Sequence, residues 1–157
     1  MPIRVAWGSG SAPTEMAAYD AALADANLHN YNLVSVSSVI PADASVEAVG
    51  TAPDLGPAGN ELTVVQAHAD TAGPGRASAA LAWTARGNEP GLFYEAAGET
   101  SPDDVESRVT AGIEAGLDLR DWPADDPEVR TATIEADPGE YAAAVVLAAY
   151  GESEPLL

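Results

Sequence analysis

Three features of the sequence set polar, potentially reactive side chains among apolar neighbours: Asp20, Glu95 and the pair Ser37-Ser38. Residues 92–97 read as a strand that is apolar on both faces except for Glu95, and alternation puts Glu95 on the side of Phe93 and Ala97. A carboxyl there would lose hydration, its charged form would be disfavoured, and its pKa would move toward the range where it can hand over protons. A strand-end glutamate beside Gly98 is the plainer alternative. Read as a helix, residues 14–27 put Met16, Ala17, Leu23 and Ala24 three and four positions from Asp20, so a carboxylate stands in an apolar stripe. An edge position reaching solvent, or a structural ion pair, would account for the same pattern. Ser37-Ser38 is an odd polar pair inside the β-branched run Val36-Ser37-Ser38-Val39-Ile40-Pro41, and alone it indicates nothing. Gly8-Ser9-Gly10-Ser11 lacks the third glycine and the Gly-Lys-Ser/Thr ending of a phosphate cradle, and reads as a plain loop.

The elements that must position these residues follow from periodicity and punctuation. Residues 3–8 read as a first strand, and Ser11 and Pro13 signal the start of the helix over 14–27. Residues 30–40 read as one extended segment closed by Pro41, and residues 41–60, rich in Pro, Gly, Ala and Asp, as a loop. Strands are predicted over 62–68, 77–84, 92–97, 129–135 and 141–149, with residues 151–157 a loose end. Ser101-Pro102-Asp103-Asp104 caps a second helix running to about Leu119, its acids at the positive end of the helix dipole. Several strands are apolar on both faces and so need cover on both sides. The expected fold is α+β: a layered sandwich of mainly antiparallel sheet with covering helices, an αββα-like arrangement in one domain spanning residues 1–157.

Composition narrows the function classes. With 157 residues, 46% of them hydrophobic, the chain has material for one substantial core. Its longest apolar stretch, residues 142–150, is about half of what crosses a bilayer. The start of the sequence lacks a basic segment followed by an apolar one, so a cytoplasmic location is expected. The absence of cysteine removes thiolate nucleophiles, disulfides and cysteine metal sites, and His29 and His68 are too few for a metal cluster, so no metal is expected. Twenty-five acids face six basic residues, all arginine and scattered from Arg4 to Arg130, for a formal charge of −19. That balance argues against nucleic acid, which needs clustered cations, and fits a surface kept soluble in concentrated salt.

The run Asn32-Leu33-Val34 followed by Val36-Ser37-Ser38-Val39-Ile40-Pro41, about a dozen residues after Tyr19-Asp20-Ala21-Ala22-Leu23, resembles the pyruvoyl-dependent arginine decarboxylases of archaea. Gly75 with Ala77-Ser78-Ala79-Ala80, the stretch Gly91-Leu92-Phe93-Tyr94-Glu95 and the helix before Arg120-Asp121-Trp122 match in order and spacing, so the resemblance covers roughly Gly8 to Tyr150. It implies self-cleavage between Ser37 and Ser38 into chains 1–37 and 38–157, with Ser38 becoming a covalent pyruvoyl group, the cofactor of arginine decarboxylation to agmatine. It further implies that Asn32 hydrogen-bonds the scissile peptide or its oxyanion, and that Glu95 protonates the carbanion. Asp20 would hold the substrate guanidinium, for which a carboxylate offers a two-pronged acceptor. Family members assemble as trimers, often paired, which implies a homo-oligomer with active sites between neighbours. Ala96-Ala97-Gly98-Glu99, the loop after Pro41 and the absence of lysine depart from the pattern. Two other readings stand beside this one: pyruvoyl chemistry on another amino acid such as histidine or aspartate, and an uncleaved paralogue that binds a ligand or partner without catalysis.

Folding is expected to depend on salt. In dilute buffer the −19 charge repels itself over a Debye length of about 10 Å at 0.1 M, which shrinks to about 3 Å at 1 M. Thermal melts across a potassium chloride series should show the melting temperature rising with salt; a salt-independent value would remove the argument.

Overall fold

The computed structural model describes residues 2–123 and 125–157. Its elements run β1 (Pro2–Ala12), α1 (Glu15–Asp25), β2 (Asn32–Ser35), β3 (Val39–Ile40), β4 (Ser45–Gly50), β5 (Glu61–Ala72), β6 (Gly75–Arg86), β7 (Glu89–Gly98), α2 (Pro102–Leu119), β8 (Glu128–Ala136) and β9 (Tyr141–Tyr150). The strands form two sheets, one ordered β2-β5-β9-β1-β4 and the other β3-β7-β6-β8. All neighbours are antiparallel except β1 with β4 and β2 with β5. No helix among the described residues is long and apolar enough to cross a membrane.

Three buried layers hold the four strata together, as the strands that are apolar on both faces require. Between the sheets lie Ile3, Val5, Val65, Leu81, Trp83, Phe93 and Val146. Outside the first sheet, Ala18, Ala22 and Leu23 of α1 pack on Leu62, Val64, Val145 and Leu147. Outside the second, Val105, Val109, Ile113 and Leu117 of α2 pack on Ala80, Ala82 and Leu92. The helix over 102–119 begins as expected, with the Ser101 hydroxyl accepting from the Asp104 N–H. The α+β sandwich with helices on both outer faces is the expected architecture.

Several local expectations are corrected. Gly8-Ser9-Gly10-Ser11 is strand, not loop, because α1 lies directly on it: a Cβ at Gly8 would stand 2.3 Å from the Ala22 carbonyl oxygen, and one at Gly10 2.6 Å from the Ala21 Cβ. Thr14, rather than the Ser11-Pro13 stretch, caps α1, its side chain accepting from the Ala17 N–H. Residues 41–60 contain an edge strand, β4, paired in parallel with β1 from Pro2↔Ser45 onward. The segment over 30–40 is two strands in different sheets. The terminal residues are pinned as far as Glu154: the Gly151 N–H reaches the Pro2 carbonyl, the Ser153 hydroxyl the Leu55 carbonyl, and Glu61 and Glu154 exchange backbone hydrogen bonds.

The approach of α1 to β1 generates a test. Gly8→Ala forces a methyl group against helix backbone, and such overpacking costs about 1–3 kcal/mol. The melting temperature in high salt is expected to fall by several degrees, and an unchanged melt would mean that α1 shifts freely on the sheet.

Candidate active site

Ser37 and Ser38 occupy the passage between the two sheets. The Val36 N–H donates to the Val64 carbonyl in the first sheet at 2.9 Å, and the Ser38 carbonyl accepts from the Phe93 N–H in the second at 2.7 Å. One residue, the exposed Ser37, separates these anchors, and among the described residues no backbone hydrogen bond uses it. Continuing the register of β3 on β7, where Val39 faces Leu92, puts Ser38 opposite Phe93.

Glu95 lies two residues farther along β7 on the face of Phe93, roughly 7 Å along the strand. Its partner across the sheet is the fully buried Leu81. The side chain is solvent-exposed at the mouth between the sheets, and the apolar walls still remove enough water to push its carboxyl above the ordinary 4.5. Alternation placed Glu95 on the correct side, with Phe93, but the residue is exposed near the Gly98 end of β7, as the strand-end reading had it, and only the upward direction of its carboxyl agrees with desolvation. Ser38, Phe93 and Glu95 are brought to one end of the β3-β7 pair.

Asp20 and Asn32 meet elsewhere. They line a hollow with Met16, Tyr19, Leu23 and Leu33, between α1 and β2. Asp20 is not in the buried stripe of its helix. That stripe is Ala18, Ala22 and Leu23, while Met16 is 74% exposed and Ala17, Asp20 and Ala24 are exposed too. The helix is so rich in alanine that hydrophobicity hardly distinguishes its faces, and the fit to Gly8 and Gly10 decides which face is covered. Asn32 donates its side-chain amide to the Gly59 carbonyl at 2.8 Å, so in this chain the amide is on the loop and not on the Ser37-Ser38 peptide.

Beside the hollow, the Tyr19 ring stacks on His68, with centroids 4.1 Å apart, and its hydroxyl donates to Gln66. Burial raises the Tyr19 phenol above its ordinary 10, so it remains a donor. His68 in turn shares a 2.8 Å hydrogen bond with Asp70. This row was missed in the sequence, although Gln66, His68 and Asp70 alternate along β5 and show there as a period-2 polar row. No group of three or more His, Asp or Glu side chains among the described residues is placed to hold a metal.

The family model described as pyruvoyl-dependent arginine decarboxylase matches residues 2–155. Proteins of Halobacterium salinarum bearing that name are 72% identical over 154 residues, covering 98% of this chain and 96% of theirs. A protein of the same name from Pyrococcus horikoshii is 37% identical over 87% of this chain and 88% of its own. Another from Methanopyrus kandleri is 32% identical over 88% of each.

The raised pKa of Glu95 can be read directly. The folded state penalises its carboxylate, so the penalty is absent well below pH 4.5 and sets in as pH rises through that value. In carboxyl-carbon NMR titrations, the signal that disappears in Glu95→Gln should have its midpoint above that of ordinary glutamates; a midpoint at or below 4.5 would show a freely solvated side chain.

Proposed function

As the chain belongs to the pyruvoyl-dependent arginine decarboxylase family, we propose that it cuts itself between Ser37 and Ser38 and decarboxylates L-arginine to agmatine and carbon dioxide. The observation that carries this reading is the place of the serine pair. The backbone there is anchored to a different sheet on each side, with Ser37 alone between the anchors, and it passes beside the strand that bears Glu95. Cutting at this point costs no ladder hydrogen bond. Chain 1–37 would keep β1, held between β9 and β4, and chain 38–157 would keep the whole second sheet, so both products stay in the fold.

The pyruvoyl group, when formed from Ser38, supplies an electrophilic carbonyl that binds the substrate amine and accepts the electron pair released with carbon dioxide. The other roles belong to this chain's own side chains. Glu95, with its raised pKa, is the proton donor to the substrate carbon that loses carbon dioxide. Asp20 accepts the guanidinium in its two-pronged geometry, while Met16, Leu23 and Leu33 give the methylene stem apolar walls. Asn32 lines the same hollow and is the candidate for contact with the substrate.

Ser38 and Glu95 do not line the hollow of Asp20 and Asn32. We infer that the complete site forms between copies of the chain, in a trimer or a dimer of trimers, with one copy offering Asp20 and its neighbour Ser38 and Glu95. A cytoplasm rich in salt accounts for the acidic surface, because of the arginines among the described residues only Arg76, Arg86, Arg108 and Arg130 pair with carboxylates.

Intact-mass measurement of protein purified in high salt tests the reading. Fragments 1–37 and 38–157 are expected, the latter lacking a free amine and reacting with hydrazines, and Ser38→Ala should remain one chain without activity. An uncut wild-type chain would overturn the assignment. Asp20→Asn should still cleave yet lower kcat/KM for arginine by at least about tenfold, as for a lost charge-assisted hydrogen bond, and lose much less on the neutral analogue citrulline. Equal losses on both substrates would make Asp20 structural.

A further inference from the structure

Resting on the reading that the chain cuts itself before Ser38, we propose that Tyr150 is a positioning residue for that cut, holding the Ser38-Val39 segment so that the Ser38 hydroxyl meets the Ser37 carbonyl. Tyr150 ends β9 in the first sheet, yet its hydroxyl reaches across to the Val39 carbonyl in the second, 3.4 Å away. Its ring packs against Phe93, with centroids 6.2 Å apart, and Phe93 itself supplies the N–H that holds the Ser38 carbonyl. The two successive carbonyls after the scissile peptide are thus gripped by a single packed pair, Phe93 through its backbone and Tyr150 through its side chain. Ser37, on the other side, is gripped by nothing among the described residues. This leaves Ser37 free to turn toward a hydroxyl whose own backbone is fixed. Desolvation pushes the Tyr150 phenol up to about 12, so it stays a hydrogen-bond donor at every pH at which the protein would work.

The chemistry identifies the step that this grip serves. The Ser38 oxygen adds to the Ser37 carbonyl carbon, the Ser37–Ser38 C–N bond breaks, and the hydroxyl proton ends on the freed Ser38 amine, leaving an ester. Loss of the Ser38 α-proton then breaks the ester Cβ–O bond, giving the Ser37 carboxylate and dehydroalanine. One water enters and one ammonia leaves to yield the ketone. Only the first step needs the Ser38 hydroxyl held against a neighbouring carbonyl, so it is the step that loss of the Tyr150 hydroxyl slows. At 3.4 Å the hydrogen bond is long, which sets the effect at the lower end of what one neutral hydrogen bond contributes, about threefold.

The test follows the cut in time, by intact mass, after cell-free synthesis of the full chain in high salt is stopped. Tyr150→Phe, which keeps the ring on Phe93, is expected to lengthen the half-time of cleavage about threefold while the melting temperature stays within a few degrees of wild type. Tyr150→Leu, losing the ring too, is expected to slow cleavage at least as much. Hydroxylamine, which captures the ester once it exists, should not restore the wild-type rate of chain scission to Tyr150→Phe. A wild-type half-time in Tyr150→Phe overturns the proposal, and so does full restoration by hydroxylamine, which would put the slow step after ester formation. Failure of the wild-type chain to cut at all would instead overturn the proposed function, so the two failures are distinct.

Discussion

The backbone has to pass from one sheet to the other, and it does so in a single residue. Val36 is committed to the β5 ladder and Ser38 to the β7 ladder, so the peptide between Ser37 and Ser38 belongs to neither sheet. Ladder hydrogen bonds fix residues on both sides, and burying Ile40 between the sheets fixes where β3 must sit. The rest of the architecture makes this passage durable. The first 37 residues contribute the interior strand β1, the edge strand β2 and a covering helix, and the remainder contributes the strands that flank β1, so continuity of the chain at the passage is not what keeps the layers together.

The same layering separates the chemistry into two places. On the outer face of the first sheet, α1 and β2 frame a hollow whose polar groups include Asp20 and Asn32 and whose walls are apolar. At the mouth between the sheets, Glu95 stands close to the Ser38 anchor, half in water and half against a packed interior. The two positions differ in their surroundings: apolar walls raise the Glu95 carboxyl, whereas Asp20 lies on the exposed face of its helix.

Charge sets a second condition on the molecule. Four arginines are engaged in ion pairs, three of them on partly open surface, where such pairs contribute about 0–1 kcal/mol each. Arg86 differs, being nearly buried beneath Trp122 and joined there by Arg120, which ties the end of α2 to the second sheet. Arg76 joins β6 to β8 and Arg86 joins β6 to β7, whereas the pairs of Arg108 and Arg130 stay within α2 and β8, and most of the acid excess is left for the solvent ions to screen.

What was legible in the sequence was whatever carried local contrast. The second helix has a serine cap, acids in its first turn and a clear apolar stripe, and it runs over 102–119 as read. The long strands β5 to β9 were found at their centres, the doubly apolar pattern implied two covered sheets, and Glu95 was assigned to the correct face. Tertiary structure decided everything that depended on a distant partner. Glycines at 8 and 10 are strand because a helix rests on them, and β4 is a strand because β1 offers it an edge. Residues 30–40 part into two strands because each half finds its ladder in a different sheet. Asp20 faces outward because, in a helix with alanine at five of its eleven positions, fit to the sheet and not hydrophobicity chooses the buried side. Periodicity is written into neighbouring residues, whereas pairing, close approach and the meeting of Asp20 with Asn32 arise only when segments far apart in the chain are packed together.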